Sequence, residues 1–572
     1  MKRTLGLAAV VALSGVVATS CSSLKQMEKK ADQVTYNVTP ETLIAKGGMV
    51  DLKIDVTYPA KYFKKKVTLE ATPVLRFKDG EKAYEMKALQ GEKVQGNAEM
   101  IPYKAGKTIS YTSQIPYEDA MRLSDLEIDI LGKKGKKSAQ FAPRKIAQGV
   151  LATESMVQNV PAIALGKDAF QRIIKEQQEA AIYYLINSAN VRSKQMTSEE
   201  MKKLQEYIKM AATSEDMRLN GIDVRSYASP DGAVDWNDKL ANKRETSSSA
   251  FLKKQMRKNK VEQYKDEEFF KNYVVAEDWD GFKKAMEESN IQDKDLILRV
   301  LAMHSDPEVR EREIKNIASA FATIADQILP KLRRSLFVVN AEKIGYSDEE
   351  LINLAKSNPA QLNVEELLYA ATLFDNAADQ LAIYQTCKTQ FPNDWRGFND
   401  AGMILFQMGN IAEAKADFEK ANSLSSNNPV VQNNLGAVAL KNGDLKQAEV
   451  YFGAATGAGN EVNYNKGIVA IMGGDYASAV NYFGQCNCVN AALANILAGN
   501  NNEALKKLEA GEQIPMAYYL KAVIGARTNN DTMVLDNLRT ACSQDASLKA
   551  LAATDMEFAK YFENNDFVTI VK

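Results

Sequence analysis

The residues able to do chemistry in this chain are few. It has one histidine, His304, and five cysteines among 572 residues. Structural zinc needs several Cys or His ligands at short, regular spacings, and a Ser-His-Asp arrangement needs a histidine reaching both partners. His304 stands alone in Ala302-Met303-His304-Ser305, near an expected helix end, and reads as structural. Cys387, Cys486, Cys488 and Cys542 all lie in the C-terminal region, without a C-x-x-C pair. Cys486-Asn487-Cys488 reads as too tight for an unstrained bridge between its own thiols. Either pairing with a helix neighbour or simple burial as small core residues is expected. Glu277, Asp278 and Asp280 crowd Trp279. Two carboxylates are the minimum for glycoside hydrolysis, but acids also collect at helix starts for electrostatic reasons. No phosphate-cradling glycine loop and no nucleophile elbow occur in the sequence. The chemistry points away from an enzyme, and no cofactor is expected.

Composition agrees. A net charge of −1 gives no basic excess for nucleic acid, and 45% hydrophobic residues suffice for several cores. Met1-Lys2-Arg3 is a cationic start, followed by an apolar run from Leu5 to Ala18. That run is shorter than the roughly 20 residues a spanning helix needs and reads as a signal peptide over 1–20. It ends in Val17-Ala18-Thr19-Ser20-Cys21, which resembles the lipobox of bacterial lipoproteins. The resemblance implies a diacylglycerol on the Cys21 thiol, cleavage before it and acylation, as by palmitate, of the new amino group. Membrane lipid is then the first partner, held at about 0.8 kcal/mol per buried methylene. The alternative is an ordinary secretory signal with Cys21 left as a free thiol. Residues 21–35 read as a polar lipidated tether. Neither an acidic run nor Asp at the next position follows Cys21. The expected address is therefore the outer membrane, facing the periplasm.

The elements that would carry such a protein fall into three blocks. Residues 36–150 read as an all-β sandwich of immunoglobulin-like type: Val50, Leu52, Ile54, Val56 and Tyr58 alternate with polar residues. Val67/Leu69/Ala71, Ile109/Tyr111 and Leu126/Ile128/Ile130 repeat the pattern, and glycine-bearing turns separate them. The lysines at 64–66 and 133–137 guard edges and loops.

Residues 178–340 alternate strand and helix: a strand over Ile182–Ile186, a helix from Thr197, a strand over Ile222–Ala228 and a helix over Asn237–Gln255. Within them, Val224-Arg225-Ser226-Tyr227-Ala228-Ser229-Pro230-Asp231-Gly232, then Asn237, Leu240 and Arg244, resembles an OmpA-like peptidoglycan-associating domain. Arg333-Arg334 resembles the arginine pair before that family's closing strand, with a longer helical insertion, Trp279 to Leu329, in between. The resemblance implies peptidoglycan as a partner, with Ser229, Asp231, Asn237 and Arg244 as the candidate site. In the family a loop Asp meets the ammonium of the peptide stem's diaminopimelate and the helix Arg forks onto its carboxylate. Here Ser229 stands in the Asp position, and Asp231, two residues on, is the nearest carboxylate.

Residues 341–572 repeat internally. Gly402, Ala414, Phe418 and Ala421 recur as Gly436, Ala448, Phe452 and Ala455, the period of 34 that marks a tetratricopeptide repeat. Small residues are required where helices approach closely, and Phe plugs the gap between them. Gly467/Gly474/Ala479/Phe483 is a third copy. Ala492/Gly499/Ala504/Leu508 and Ala522/Ala541 give degenerate fourth and fifth copies, and Leu367–Thr389 a divergent opening one. Such a stack forms an α-α superhelix whose groove suits an extended or helical peptide of a protein partner; the region is acidic, either as a solvated face or as a groove that prefers basic or polar segments. The whole resembles the tetratricopeptide-bearing outer-membrane lipoproteins of Bacteroidota. It implies a non-enzymatic scaffold linking membrane, peptidoglycan and a protein bound by the repeats. A surface-displayed adhesion or capture lipoprotein is the alternative, and an envelope glycan-active enzyme using acids around Asp231 and Glu277 a third.

Overall fold

The computed structural model describes residues 22–572. They form two compact units: residues up to 167 together with 380–572, and residues 168–379. The β-rich N-terminal region and the C-terminal helices therefore share one unit, whereas the sequence separates them into different domains.

In the first unit, strand alternation dictates a two-sheet sandwich. One sheet contains Thr35–Val38, Leu43–Lys46, Met49–Tyr58, Lys107–Pro116 and Val150–Leu151; the other is built around Thr68–Phe77 and Ser124–Lys134. Met49–Tyr58 pairs antiparallel with Lys107–Pro116, Leu52 opposite Ser113, so Val50, Leu52 and Ile54 all face inward. They meet Leu69, Leu75, Leu126 and Ile128 of the second sheet in one core. The segment expected as a free tether is a helix, Ser22–Lys29. Leu24 and Met27, three residues apart, share a face and bury themselves in the sandwich core.

In the same unit, ten helices form five antiparallel pairs: α3 (Trp395–Gln407) with α4 (Ile411–Leu424), α5 (Pro429–Lys441) with α6 (Leu445–Ala454), and α7 (Asn460–Met472) with α8 (Tyr476–Phe483). The series continues with α9 (Val489–Leu497) and α10 (Asn501–Ala510), then α11 (Pro515–Arg527) and α12 (Asp531–Gln544). The small residues do what the period requires. A Cβ on Gly402, Gly436 or Gly467 would stand 2.6–2.8 Å from the ring of Phe418, Phe452 or Phe483. Gly409 and Gly443 take φ of +84° and +78° in the turns, a region costly for other residues.

In the second unit, β1 (Ile173–Tyr183), α1 (Glu199–Thr213), β2 (Met217–Tyr227), α2 (Val234–Lys258), β3 (Phe270–Val275) and β4 (Arg334–Ile344) build a four-stranded sheet of order β1-β4-β2-β3. β4 runs antiparallel to β1 and β2, while β2 and β3 are parallel. Ser198 caps α1 by accepting from the Met201 amide, and Met201, Leu204, Ile208 and Ala211 form its buried stripe. The strand expected over Ile182–Ile186 ends at Tyr183 and begins nine residues earlier, at Ile173. Its polar start, Lys175 to Glu179, lies on a sheet edge, where no apolar alternation is required. The helical insertion begins at Trp279 and ends at Leu332, with its own core around Phe282, Ile297, Ile324 and Leu329. Helices Asp348–Ser357 and Val364–Thr372, expected among the repeats, belong to this unit instead.

The repeat packing makes a test. Gly436→Ala is expected to lower stability by about 1–3 kcal/mol, because the methyl meets Phe452. Gly453→Ala, whose Cβ meets nothing within 4 Å inside α6, is expected to raise it by about 0.5–1 kcal/mol. Urea unfolding followed by circular dichroism measures both.

Candidate functional site

The loop after β2 brings together Ser229, Asp231 and Asn237, while Arg244 holds the strand end that leads into it. Ser229 Oγ donates to Asp231 Oδ1. Asn237 Nδ2 donates to the carbonyls of Ser229 (3.1 Å) and Gly232 (2.9 Å), pinning the loop to the first turns of α2. The Asp231 charge is already matched: Arg333 Nη2 donates to Asp231 Oδ2 at 3.1 Å and Arg333 Nε to Ser229 Oγ at 3.2 Å. Arg333 was legible as half of the arginine pair before the closing strand, but its partner was not.

Arg244 lies beneath this loop with 0% of its surface exposed. Its Nη1 donates to the Tyr227 carbonyl (2.8 Å), Nε to Ser188 (3.0 Å) and Nη2 to Leu185 (3.5 Å), and it stacks 5.1 Å from the Tyr184 ring centre. Burial lowers its pKa to about 10, partly offset by Tyr184. With its fork spent on three carbonyls, Arg244 ties β2, α2 and the segment after β1 together. On the loop's rim, Trp236 is 53% exposed and donates from Nε1 to Asn187 Oδ1. The acids at the insertion are also engaged. Asp278 caps a helix through the Gly281 amide and pairs with Arg334, while Glu277 accepts from Trp279.

The second candidate site lies on the face made by the first helices of the repeats. After Val150–Leu151 and a short turn, Thr153–Met156, residues 157–167 (Val-Gln-Asn-Val-Pro-Ala-Ile-Ala-Leu-Gly-Lys) run across α9, α7, α5 and α3 as a strap. A ladder of amides holds it. Gln158 N–H donates to Asn490 Oδ1 (2.8 Å), and Asn490 Nδ2 returns a bond to the Gln158 carbonyl (2.9 Å). Asn465 grips Ala162 in the same two-bond manner, at 2.7 Å each, and Asn434 grips Ala164 at 2.8 Å each. Asn433 and Asn399 add second bonds to the Ala162 and Ala164 carbonyls, and Gly166 N–H ends the ladder on Asp400 Oδ1 at 2.7 Å. The spare amide hydrogens pass between rungs: Asn434 to Asn399, Asn465 to Asn433, Asn433 to Asn434 and Asn399 to Asp400. These side chains are 0–1% exposed, so each unmade bond would carry its full desolvation cost.

The sequence reading missed this ladder, although a signal exists. Asp400, Asn434, Asn465 and Asn490 each stand two residues before the small residue of their repeat, Gly402, Gly436, Gly467 and Ala492. The groove expected to be open to a partner is filled here by the chain's own segment. The strap's start is anchored by Glu154, whose carboxylate accepts from the Gly47 and Gly48 amides (2.9 and 3.0 Å) and from the Tyr476 hydroxyl (2.7 Å). Sandwich and repeats thus meet on one buried acid. Burial pushes Asp400 up to about pKa 7, against the pull of Asn399 and the Gly166 amide; burial likewise raises Asp555 to about 6.

Cys486 and Cys488 are bonded to each other rather than to a helix neighbour; the turn between α8 and α9 brings their Cα atoms to 5.5 Å. Cys387 and Cys542 are buried thiols, as core cysteines should be. Cys21 lies outside the described residues.

Residues 396–428 match the family model of the tetratricopeptide repeat. No curated protein sequence matches the chain. Similar solved structures include a tetratricopeptide repeat protein from Parabacteroides merdae, 16% identical with a TM-score of 0.29 over 36% of this chain and 91% of that one. Pseudomonas aeruginosa PilF is 14% identical, TM-score 0.28, over 37% and 96% of the two chains. YrrB, described as a tetratricopeptide repeat protein with an unusual peptide-binding site, is 19% identical, TM-score 0.24, over 28% and 92%. The C-terminal helices of this chain are tetratricopeptide repeats, a fold that implies protein partners.

The ladder sets two expectations. Asn434→Ala strips the Ala164 amide of its acceptor and should cost about 1–3 kcal/mol, with faster proteolysis within 157–167, read by urea unfolding and limited digestion. Asp400 holds its proton in the fold up to about pH 7, whereas its ordinary value is 3.8. The native state binds the extra proton between these values, so this group's contribution to stability falls as pH rises from about 4 to about 7 and is level above. Asp400→Asn keeps an acceptor for Gly166 and should flatten that part of the stability–pH curve.

Proposed function

We propose that this protein is a non-enzymatic lipoprotein of the bacterial cell envelope, in which acylated Cys21 fixes the chain to the outer membrane and the repeat array recruits a protein partner. The observation that carries the scaffold reading is the strap. It joins a β-sandwich and a tetratricopeptide array into one unit through a buried ladder of hydrogen bonds, which makes a stiff frame suited to hold partners at fixed positions. The lipid reading is supported by the apolar leader and the small residues before Cys21. The non-enzymatic reading is supported by the acids themselves: Asp231 is matched by Arg333, and Asp278 by a helix amide and Arg334.

Wall contact belongs to the same proposal in a narrower form. The OmpA-like reading of the second unit is supported by the convergence of Ser229, Asp231 and Asn237 on one loop, by Arg244 at the strand end that leads into it, and by β4 closing the sheet at the arginine pair. Arg244 acts there as a positioning residue, and the exposed rim with Trp236 is the part that meets peptidoglycan.

Mass spectrometry of the mature N-terminal peptide should find Cys21 first and acylated, in protein recovered with outer membranes. An unmodified terminus in a wholly soluble protein overturns the anchor. Purified sacculi should sediment the parent protein and markedly less of Trp236→Ala; equal sedimentation, or none of the parent, removes the wall arm and leaves the anchor standing.

A further inference from the structure

The strap has two edges, and only one is used. Ala162 and Ala164 turn both N–H and C=O toward the amide ladder. In an extended segment the main-chain groups of successive residues point to opposite sides. The N–H and C=O of Ile163 and Leu165 therefore point away from the ladder, and among the described residues they have no hydrogen-bond partner. The free edge is short: Pro161 has no N–H, and the Val160 amide is turned back onto the Gln158 carbonyl. Beside the strap lies a cavity of about 640 Å³, reaching from Ala162 to Asn463, Tyr464 and Tyr482, with Glu461 as its one charged residue. A second, of about 440 Å³, opens from Gln158 and Val160 to Ile514 and Glu512. Its Lys507 is spent on the carbonyls of Gly484 and Cys486, so the uncompensated charges along both cavities are acidic.

The ladder also argues against displacement. A free peptide that ejected the strap would compete with a covalently tethered segment, whose effective concentration is of order mM, for every rung. A partner is better served by adding to the strap than by replacing it.

We infer that the strap is a docking edge: a partner protein's extended segment, bearing basic side chains, pairs with Ile163 and Leu165 as an added strand and reaches into the flanking cavities toward Glu461 and Glu512. This rests on the scaffold reading above and specifies its partner surface.

The edge can be blocked without touching the ladder. Leu165→Pro or Ile163→Pro removes an N–H that makes no bond within the chain, a change that edge positions tolerate. Ala164→Pro, by contrast, removes a rung and should lower the melting temperature. The probe is a labelled seven-residue peptide of alternating valine and lysine, followed by fluorescence anisotropy with the full-length mature protein. The inference expects binding to the parent, at least tenfold weaker binding to Leu165→Pro at unchanged melting temperature and to Ile163→Pro, whose lost packing against the repeat core lowers its melting temperature, and a several-fold loss for Glu461→Gln/Glu512→Gln. Should both proline variants unfold, an ester-for-amide replacement at Leu165, made by semisynthesis, removes the same N–H. No binding to the parent, or equal binding to the folded variants, overturns the docking edge. Crosslinked partners recovered from membranes with Leu165→Pro as with the parent would overturn it too, while leaving the scaffold reading intact.

Discussion

The first unit depends on hydrogen bonds between asparagine side chains and one stretch of extended backbone. A primary amide presents one acceptor and two donor hydrogens, which match the N–H and C=O of a residue in an extended segment, with one hydrogen to spare. Each spare hydrogen passes to the next rung, so Asn399, Asn433, Asn434 and Asn465 spend every donor they own. Buried polar groups are costly unless fully satisfied, so the ladder fixes one register and penalises every other. It demands no side chain of the strap, and at its last three rungs, where the approach is closest, stand the small residues Ala162, Ala164 and Gly166.

This constraint explains why the two blocks at the ends of the sequence fold as one unit. The sandwich hands the chain to the strap through Thr153–Met156, and Glu154 closes the junction on Gly47, Gly48 and Tyr476. At that junction the two backbones nearly touch: a Cβ on Gly47 would lie 3.0 Å from the Gly473 carbonyl oxygen. Arg244 plays a comparable part in the second unit. It too is a buried polar group whose donors end on carbonyls, and it fixes the end of the strand from which the loop carrying Ser229 and Asp231 departs.

Much of the architecture was legible because it obeys short periods. Two-residue alternation marked Met49–Tyr58 and Ser124–Lys134, and the 34-residue period marked the glycine–phenylalanine contacts. The α/β order around Ser229–Arg244 was visible from a strand, a loop and a helix in sequence, and Ser229, Asp231 and Asn237 do converge, with Arg244 at the strand end that leads to them. What stayed hidden involves partners far apart in the chain. Nothing local says that Asn465 will meet Ala162, or that Arg333 will neutralise Asp231. The helix at Ser22–Lys29 was hidden because two apolar residues in eight make a stripe only once a sandwich core accepts them. The boundary near residue 341 shifted for a related reason: the helices Asp348–Ser357 and Val364–Thr372 pack as a pair, as repeat helices do, but carry no glycine to make the glycine–phenylalanine contact.

The direction of the strap bears on biosynthesis. Its bonds to Asn434, Asn465 and Asn490 bridge 270, 303 and 332 positions of sequence, far beyond what local closure favours. Because synthesis and export both deliver the chain from its N-terminal end, the segment is already present when each later helix pair emerges. Successive pairs can settle on a waiting template, in the order α3 to α9, and nothing has to be threaded through a finished superhelix. A chain translated with the segment moved behind the last helix would have to reverse that order and insert a peptide into preformed helices, so the linear placement of this short stretch is itself part of how the molecule assembles.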